Sequence, residues 1–91
     1  MRCVEALIEG TVQGVGYRAW TESTARRHGL SGWVRNRRDG RVEALFCGPQ
    51  EAVQAMLKAC ESGPTFAKVR HIATREVDGP APDGFSIAET V

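Results

Sequence analysis

The order of strand-like and helix-like segments, separated by Gly and Pro, most constrains how this chain of 91 residues can fold. Residues 2–10 alternate apolar and polar side chains and predict a strand that buries one face. Residues 17–28 predict a helix that ends at Gly29, a residue type that commonly follows a helix. Residues 32–36 and 41–47 predict two strands, joined by a turn whose Asp-Gly pair is a strong hairpin signal.

The second half of the chain continues with a helix and a strand. Gly48-Pro49 opens the helix, because Pro suits the first helical position. Its apolar stripe has the spacing i, i+3, i+4, i+7 and consists of Val53, Met56, Leu57 and Cys60. Residues 67–77 predict a strand with a bulge, and residues 85–87 leave room for a short fifth strand at an edge.

The resulting order βαββαβ is typical of the ferredoxin-like α+β sandwich, in which two helices cover one face of an antiparallel sheet. Right-handed crossovers then give the strand order 4-1-3-2. We expect residues 1–91 to form a single domain, since a chain of this length has a small core and no room for two. The inward-facing residues are predicted to be Val4, Ala6 and Ile8 on the first strand and Val42, Ala44 and Phe46 on the third.

Composition excludes several classes of function. Lys and Arg number 12 and Asp and Glu number 11, so the chain lacks the basic excess that binding to nucleic acid through bulk charge requires. No apolar run approaches the ~20 residues of a membrane span. Charged residues occur too close to the first residue of the chain for a signal peptide. We therefore expect a cytoplasmic monomer that binds neither nucleic acid nor membrane.

Cys3, Cys47 and Cys60 are expected to be reduced thiols, because their odd number and wide spacing argue against a disulfide framework or a zinc site.

The glycine-rich loop after the first strand carries the chemistry. Residues 10–18 read Gly-Thr-Val-Gln-Gly-Val-Gly-Tyr-Arg, so the backbone can turn sharply and its N–H groups can face one concavity at a helix N-terminus, which favours anions. Arg18 adds a cation whose planar fork matches two phosphoryl oxygens. A tight turn without a ligand is the alternative. The loop lacks the Lys and Ser/Thr of a Walker A motif, and the chain lacks the second half of a dinucleotide-binding fold.

Asn36 is a second candidate site residue. In the predicted topology the first and second strands run in the same direction, so the loop after the first and Asn36 at the end of the second lie on one edge of the sheet. Strands two positions apart are separated by ~9.6 Å, which Arg18 and Asn36 can bridge. An ordinary preference of Asn for turns explains the residue equally well.

These motifs together resemble the acylphosphatase family. The resemblance runs from about Val4 to Ile87 and rests on Val-Gln-Gly-Val-Gly-Tyr-Arg at residues 12–18 and on Gly-Trp-Val-Arg-Asn at residues 32–36. It implies hydrolysis of acyl phosphates to a carboxylate and inorganic phosphate, without a metal ion or cofactor. It also implies that the site takes up phosphate or sulfate.

The resemblance also assigns roles to individual residues. It implies that Arg18 binds the phosphoryl group, that Asn36 orients the attacking water, and that Gly10 and Thr21 support the loop. The backbone cradle that shares phosphate binding consists of Gly14, Val15, Gly16, Tyr17 and Arg18. The absence of His, Asp and Glu from these motifs suggests the hypothesis that the substrate phosphate itself accepts the proton of the water.

Two other functions remain open on the same fold. An RNA-binding module would need two or three exposed aromatic residues on the central strands, whereas the third strand offers only Phe46, which is predicted to face inward. An acylphosphatase-like domain also occurs at the N-terminus of large carbamoyl-transfer maturation enzymes, where it serves carbamoyl phosphate. Met1 directly before the first strand leads us to expect a free protein.

Overall fold

The first half of the chain folds as its alternation pattern predicts. The computed structural model describes residues 1–91. Its first four elements are β1 (Arg2–Thr11), α1 (Tyr17–Arg27), β2 (Ser31–Asn36) and β3 (Val42–Gly48). The side chains predicted to face inward from β1 and β3 are all buried.

The second half contains α2 (Gln50–Cys60), β4 (Lys68–Glu76) and β5 (Phe85–Ile87). The prediction for Pro49 was wrong by one residue: Pro49 has ψ 146° and caps α2 from outside the helix. At the end of α1 the predicted boundary was also one residue too long, because His28 is the C-cap. Both differences lie within the usual uncertainty of helix ends, where the backbone hydrogen bonds run out.

The sheet has the order β4-β1-β3-β2-β5. This confirms the predicted order 4-1-3-2 and places the short fifth strand at the edge beside β2. The first four strands pair antiparallel, whereas β5 runs parallel to β2 and makes the sheet mixed. Both helices contribute to one hydrophobic core with the inward residues of the sheet. Because β1 and β2 point the same way, the loop after β1 and the end of β2 share one edge.

The predicted bulge in β4 lies opposite Gly10. Glu9 pairs with His71 and Gly10 pairs with Val69, so Arg70 is the extra residue of β4. Gly10 has φ 138°, and a Cβ atom there would collide with the main-chain carbonyl oxygen of Lys68. Only glycine therefore lets β4 approach β1 this closely at the point where β1 leads into the loop.

The cysteine prediction was wrong for one pair. Cys3 and Cys47 are joined by a disulfide. They are register partners on β1 and β3, and their Cα atoms are 4.1 Å apart, as expected for an antiparallel pair without mutual hydrogen bonds. Number and spacing in the sequence could not reveal this, because contact depends on strand register. Cys60 is a free, buried thiol, as expected.

Two further observations concern RNA binding and membrane insertion. Phe46 is fully buried and stacks on Phe85 with ring centroids 5.8 Å apart, so it offers no surface on which a base could stack. None of the helices is both long enough and apolar enough to cross a membrane.

Candidate active site

The loop between β1 and α1 presents a series of unpaired main-chain N–H groups. Gly14 and Gly16 have φ 75° and 81°, the left-handed region in which glycine is favoured. The first helical hydrogen bond of α1 runs from Trp20 N–H to Gly16 O at 3.0 Å, and no N–H from residue 14 to residue 19 donates to a protein atom. No side chain caps the helix, and its first turn contains no acidic residue. These amides are therefore free to bind an anion.

Arg18, the second residue of α1, is half-buried and makes no ion pair. Several other arginines do pair with carboxylates, among them Arg2 with Glu76 at 2.7 Å. A guanidinium in the first turn of a helix is opposed by the helix dipole. The charge of Arg18 is thus uncompensated within the protein and suits an anionic ligand.

Asn36 is the last residue of β2. Its side-chain oxygen Oδ1 is buried and has no hydrogen-bond partner. A buried acceptor without a partner costs roughly 1–3 kcal/mol, and its presence in a folded protein calls for a reason. A donor from a ligand or from water would remove that cost.

Arg18 and Asn36 line one cavity of about 270 Å³ at the edge of the sheet. The cradle residues Gly14, Gly16 and Tyr17 line it as well, whereas Val15 instead packs against the core. No Asp, Glu or His is among the lining residues. The expectation that the loop and Asn36 converge on one edge is therefore met by the geometry.

Gly10 and Thr21 lie outside the cavity. Thr21 is fully buried, and its hydroxyl donates to the main-chain oxygen of Tyr17 at 2.8 Å. Gly10 lies where the main chains of β1 and β4 approach each other closely. Both residues thus contact the structure around the loop rather than the cavity itself.

Tyr17 anchors the end of the loop to the second helix. Its hydroxyl donates to the main-chain oxygen of Cys60 at 2.6 Å. Burial, and secondarily the neighbouring Cys60 thiol, raises the pKa of Tyr17 above its ordinary value. Burial likewise raises the pKa of Cys60 to about 12. The hydroxyl of Tyr17 is therefore neutral, already engaged, and unsuited to act as a base.

Four cavity residues were given no role from the sequence, namely Val12, Gln13, Ala19 and Ile87, and two of them stand out. Gln13 lies inside the motif that carries the resemblance, and its side-chain nitrogen donates to Arg37 O at 2.7 Å and to Arg41 O at 2.9 Å. Ile87 of β5 also lines the cavity and is 42% exposed. The polar Gln13 within a glycine-rich loop was the available signal for the first, and no signal pointed to the second.

A larger depression of about 570 Å³ lies elsewhere, beside α2 and the end of β4. Charged groups in it pair with one another, as Arg2 does with Glu76 at 2.7 Å and Lys58 with Glu61 at 3.8 Å. The first residue of α2, Gln50, lines it and α2 also lacks a side-chain cap, but the first turn of α2 contains the acidic residue Glu51, which disfavours an anion there. The smaller cavity is therefore the better candidate for an anion site.

Comparison with known proteins decides the family. The family model described as Acylphosphatase matches residues 4–87. The chain belongs to the acylphosphatase family. An acylphosphatase of Rhodospirillum rubrum is 54% identical over 86 residues, which cover 94% of each chain. The crystal structure of acylphosphatase from Bacillus subtilis is 39% identical and superposes with a TM-score of 0.93, covering 97% of this chain and 99% of that one.

This member of the acylphosphatase family is also similar to part of a larger protein. The T. kodakarensis HypF structure is 30% identical and has a TM-score of 0.82, but the match covers 98% of this chain and only 12% of that one. The two acylphosphatases above match over nearly their whole length. Membership of the family supports an enzymatic, hydrolase function.

Proposed function

We propose that residues 1–91 form a single acylphosphatase domain, which hydrolyses the carboxyl–phosphate bond of small acyl phosphates to a carboxylate and inorganic phosphate. The proposed enzyme acts as a cytoplasmic monomer, in a compartment that keeps Cys3 and Cys47 as thiols, and uses neither a metal ion nor a cofactor. One observation carries the proposal: the buried, unpaired Oδ1 of Asn36 lines the same cavity as the uncompensated charge of Arg18 and the uncapped N-terminus of α1.

The cradle amides and Arg18 bind the phosphoryl group in this proposal. Phosphoryl transfer passes through a loose transition state with charge on the three equatorial oxygens, so positioning and electrostatics supply most of the catalysis. The N–H groups of residues 14–18 and the positive end of the helix dipole face that charge. The guanidinium of Arg18 donates to two of the oxygens at once. Gly10 and Thr21 keep the loop in the shape that this requires.

Asn36 orients the nucleophile. Its Oδ1 accepts a hydrogen bond from a water molecule, whose oxygen attacks phosphorus in line with the acyl oxygen. The new P–O bond forms while the bond from phosphorus to the acyl oxygen breaks, and its electron pair leaves with the carboxylate. The proton of the water passes to a phosphoryl oxygen, because the cavity contains no Asp, Glu or His to accept it.

The test is hydrolysis of benzoyl phosphate by the wild type and by Arg18→Ala and Asn36→Ala, with circular dichroism to confirm folding. Loss of one oxyanion donor costs ~2.7–4 kcal/mol, so we expect Arg18→Ala to lose about 10²-fold or more in kcat. Asn36→Ala removes the acceptor that positions the water, and because a misplacement of about 1 Å can cost ~10²-fold, we expect a loss of similar size. Arg38→Ala is the matched control, since Arg38 is exposed and lies outside the cavity. Full activity in both folded site variants would refute the site assignment.

The proposed proton acceptor has its own test. Glu43 pairs with Arg35 at 2.9 Å and with Arg37 at 3.2 Å, on either side of Asn36 in sequence. We expect Glu43→Gln to keep kcat within a few-fold of wild type. A steep loss of kcat in the folded variant would instead show that a protein carboxylate takes part in the proton transfer.

A further inference from the structure

The side chain of Gln13 connects the two halves of the candidate site. Gln13 directly precedes the cradle glycine Gly14, and Arg37 directly follows Asn36. The two hydrogens of the Gln13 amide reach Arg37 O and Arg41 O, which flank the turn between β2 and β3. One side chain thus joins the phosphate-binding loop to the segment that carries the candidate water-orienting residue.

Main-chain hydrogen bonds within the turn between β2 and β3 restrict the conformation of Arg37, the residue after Asn36. Arg37 N–H donates to Arg41 O at 2.8 Å, and Gly40 N–H donates to Arg37 O at 3.1 Å. Each of the two carbonyl oxygens therefore accepts one bond from the turn itself and one from Gln13. Asn36 and Val42 form the last pair of the ladder before this turn. Gln13 consequently fixes the turn to the loop only one residue beyond Asn36.

The side chain of Asn36 has no comparable restraint of its own. Its Oδ1 makes no hydrogen bond to the protein, so the placement of that oxygen relative to the cradle follows from the backbone of β2 and the turn. A displacement of about 1 Å at a reacting group can cost ~10²-fold in rate. The link that holds Asn36 at a fixed distance from the cradle is therefore expected to affect kcat.

We propose that Gln13 is a positioning residue, which holds the carboxamide of Asn36 at the attack distance from a phosphoryl group bound in the cradle. The inference rests on the proposed function. Gln13 acts through Asn36 and does not itself touch the reacting atoms. The alternative is that Gln13 only stabilises the turn by satisfying two carbonyl oxygens.

A double-mutant cycle separates the two roles. Gln13→Leu removes both donors, and we expect kcat for benzoyl phosphate to fall about 10- to 100-fold. Added to Asn36→Ala, the same change is expected to lower kcat by less than about threefold, because no carboxamide is left to misplace. Gln54→Leu, at an exposed glutamine of α2, is the matched control in both backgrounds. An equal loss from Gln13→Leu in both backgrounds would overturn the proposal.

Binding of inorganic phosphate provides a second readout. Because Arg18 and the cradle amides remain in place, we expect the inhibition constant of phosphate to change less than about threefold in Gln13→Leu while kcat falls. A loss of phosphate affinity as large as the loss of kcat would contradict the proposal, since it would place the effect in the cradle.

The chain contains a single asparagine, so selective ¹⁵N-asparagine labelling reports the side-chain amide of Asn36 alone. We expect titration with phosphate to shift this signal in the wild type and to shift it clearly less in Gln13→Leu. An identical shift in both would count against a positioning role. If Gln13→Leu does not fold, Gln13→Met takes its place, and failure of both to fold would show a structural role and overturn the inference.

Activity distinguishes this inference from the proposed function. A wild type that hydrolyses benzoyl phosphate and depends on Asn36, but not on Gln13, refutes the positioning role alone. A wild type without hydrolysis refutes the proposed function, whereas the asparagine signal still reports whether Gln13 orients Asn36 towards bound phosphate.

Discussion

Reduction of the disulfide between Cys3 and Cys47 is expected to destabilise the protein strongly. The two residues are 44 positions apart, so the bridge closes a loop of nearly half the chain. In the chain-entropy treatment, closing a loop of that length removes ~13 cal/mol/K from the unfolded ensemble, which corresponds to ~4 kcal/mol at 25 °C. Since small domains unfold with only about 5–15 kcal/mol, the bridge contributes a large share of the total.

The effect on thermal unfolding follows from chain length. An unfolding entropy of ~2.1 cal/mol/K per residue gives about 0.19 kcal/mol/K for this chain, so ~4 kcal/mol corresponds to a fall of about 20 °C in Tm. Differential scanning calorimetry and urea unfolding, with and without dithiothreitol, measure the change. The urea m-value is expected to rise on reduction, because the unfolded chain expands and exposes more surface.

Two variants control the disulfide experiment. Cys3→Ala cannot form the bridge and should unfold identically with and without reductant. Cys60→Ala retains the bridge and should respond as the wild type does. Activity at 25 °C should survive reduction, since Cys3 lies ~23 Å along β1 from the bulge at Gly10 that leads into the loop. A change below about 1 kcal/mol in the wild type, or loss of hydrolysis while the reduced protein stays folded, would refute the reasoning.

Three further predictions concern the structure around the loop. Gly10→Ala should lower the free energy of unfolding by about 2 kcal/mol or more in urea, because its Cβ would collide with the carbonyl oxygen of Lys68; a loss below about 0.5 kcal/mol would contradict this. Tyr17→Phe should cost about 1–3 kcal/mol through the unpaired Cys60 oxygen, with phosphate inhibition unchanged; a weakened inhibition would show that the hydroxyl shapes the cradle. The raised pKa of Cys60 means that the folded protein holds the thiol proton more tightly than the unfolded chain, so Cys60 alone should lower stability by ~1.4 kcal/mol per pH unit from about pH 9 to about pH 12. Tyr17, whose pKa burial also raises, adds to the fall above about pH 10. Cys60→Ala should reduce that slope in urea unfolding at alkaline pH, and an unchanged slope would exclude Cys60 as its source.

Local pattern was sufficient to predict the elements of this fold. Alternation in β1 and β3 identified the buried face correctly, and the spacing of Val53, Met56 and Cys60 identified the buried stripe of α2. The bulge in β4 followed from two apolar residues three positions apart. These predictions succeed because the period of a strand or helix is a property of neighbouring residues.

The candidate site was predictable to the extent that it is continuous in sequence. The cradle and Arg18 belong to one segment, and topology made Asn36 a candidate by placing the ends of β1 and β2 on one edge. The resemblance to the family was needed to prefer a site role for Asn36 over that of an ordinary turn residue. The contact that the side chain of Tyr17 makes was harder to predict from the sequence. Its backbone belongs to the loop, but its hydroxyl reaches Cys60 O on the other helix, a contact that depends on how the helices pack.

Strand register explains the features that sequence reasoning missed. The bridge requires Cys3 to lie opposite Cys47, and the link from Gln13 requires the β2–β3 turn to lie beside the loop at one particular offset. Alternation fixes which face of a strand is buried but leaves open any shift by two residues, because such a shift keeps every side chain on its face. Contacts across strands therefore need a further restraint. At the site Gln13 bonds the loop to the β2–β3 turn, so the residue whose partners could not be predicted is the one that we propose sets the geometry between the cradle and Asn36.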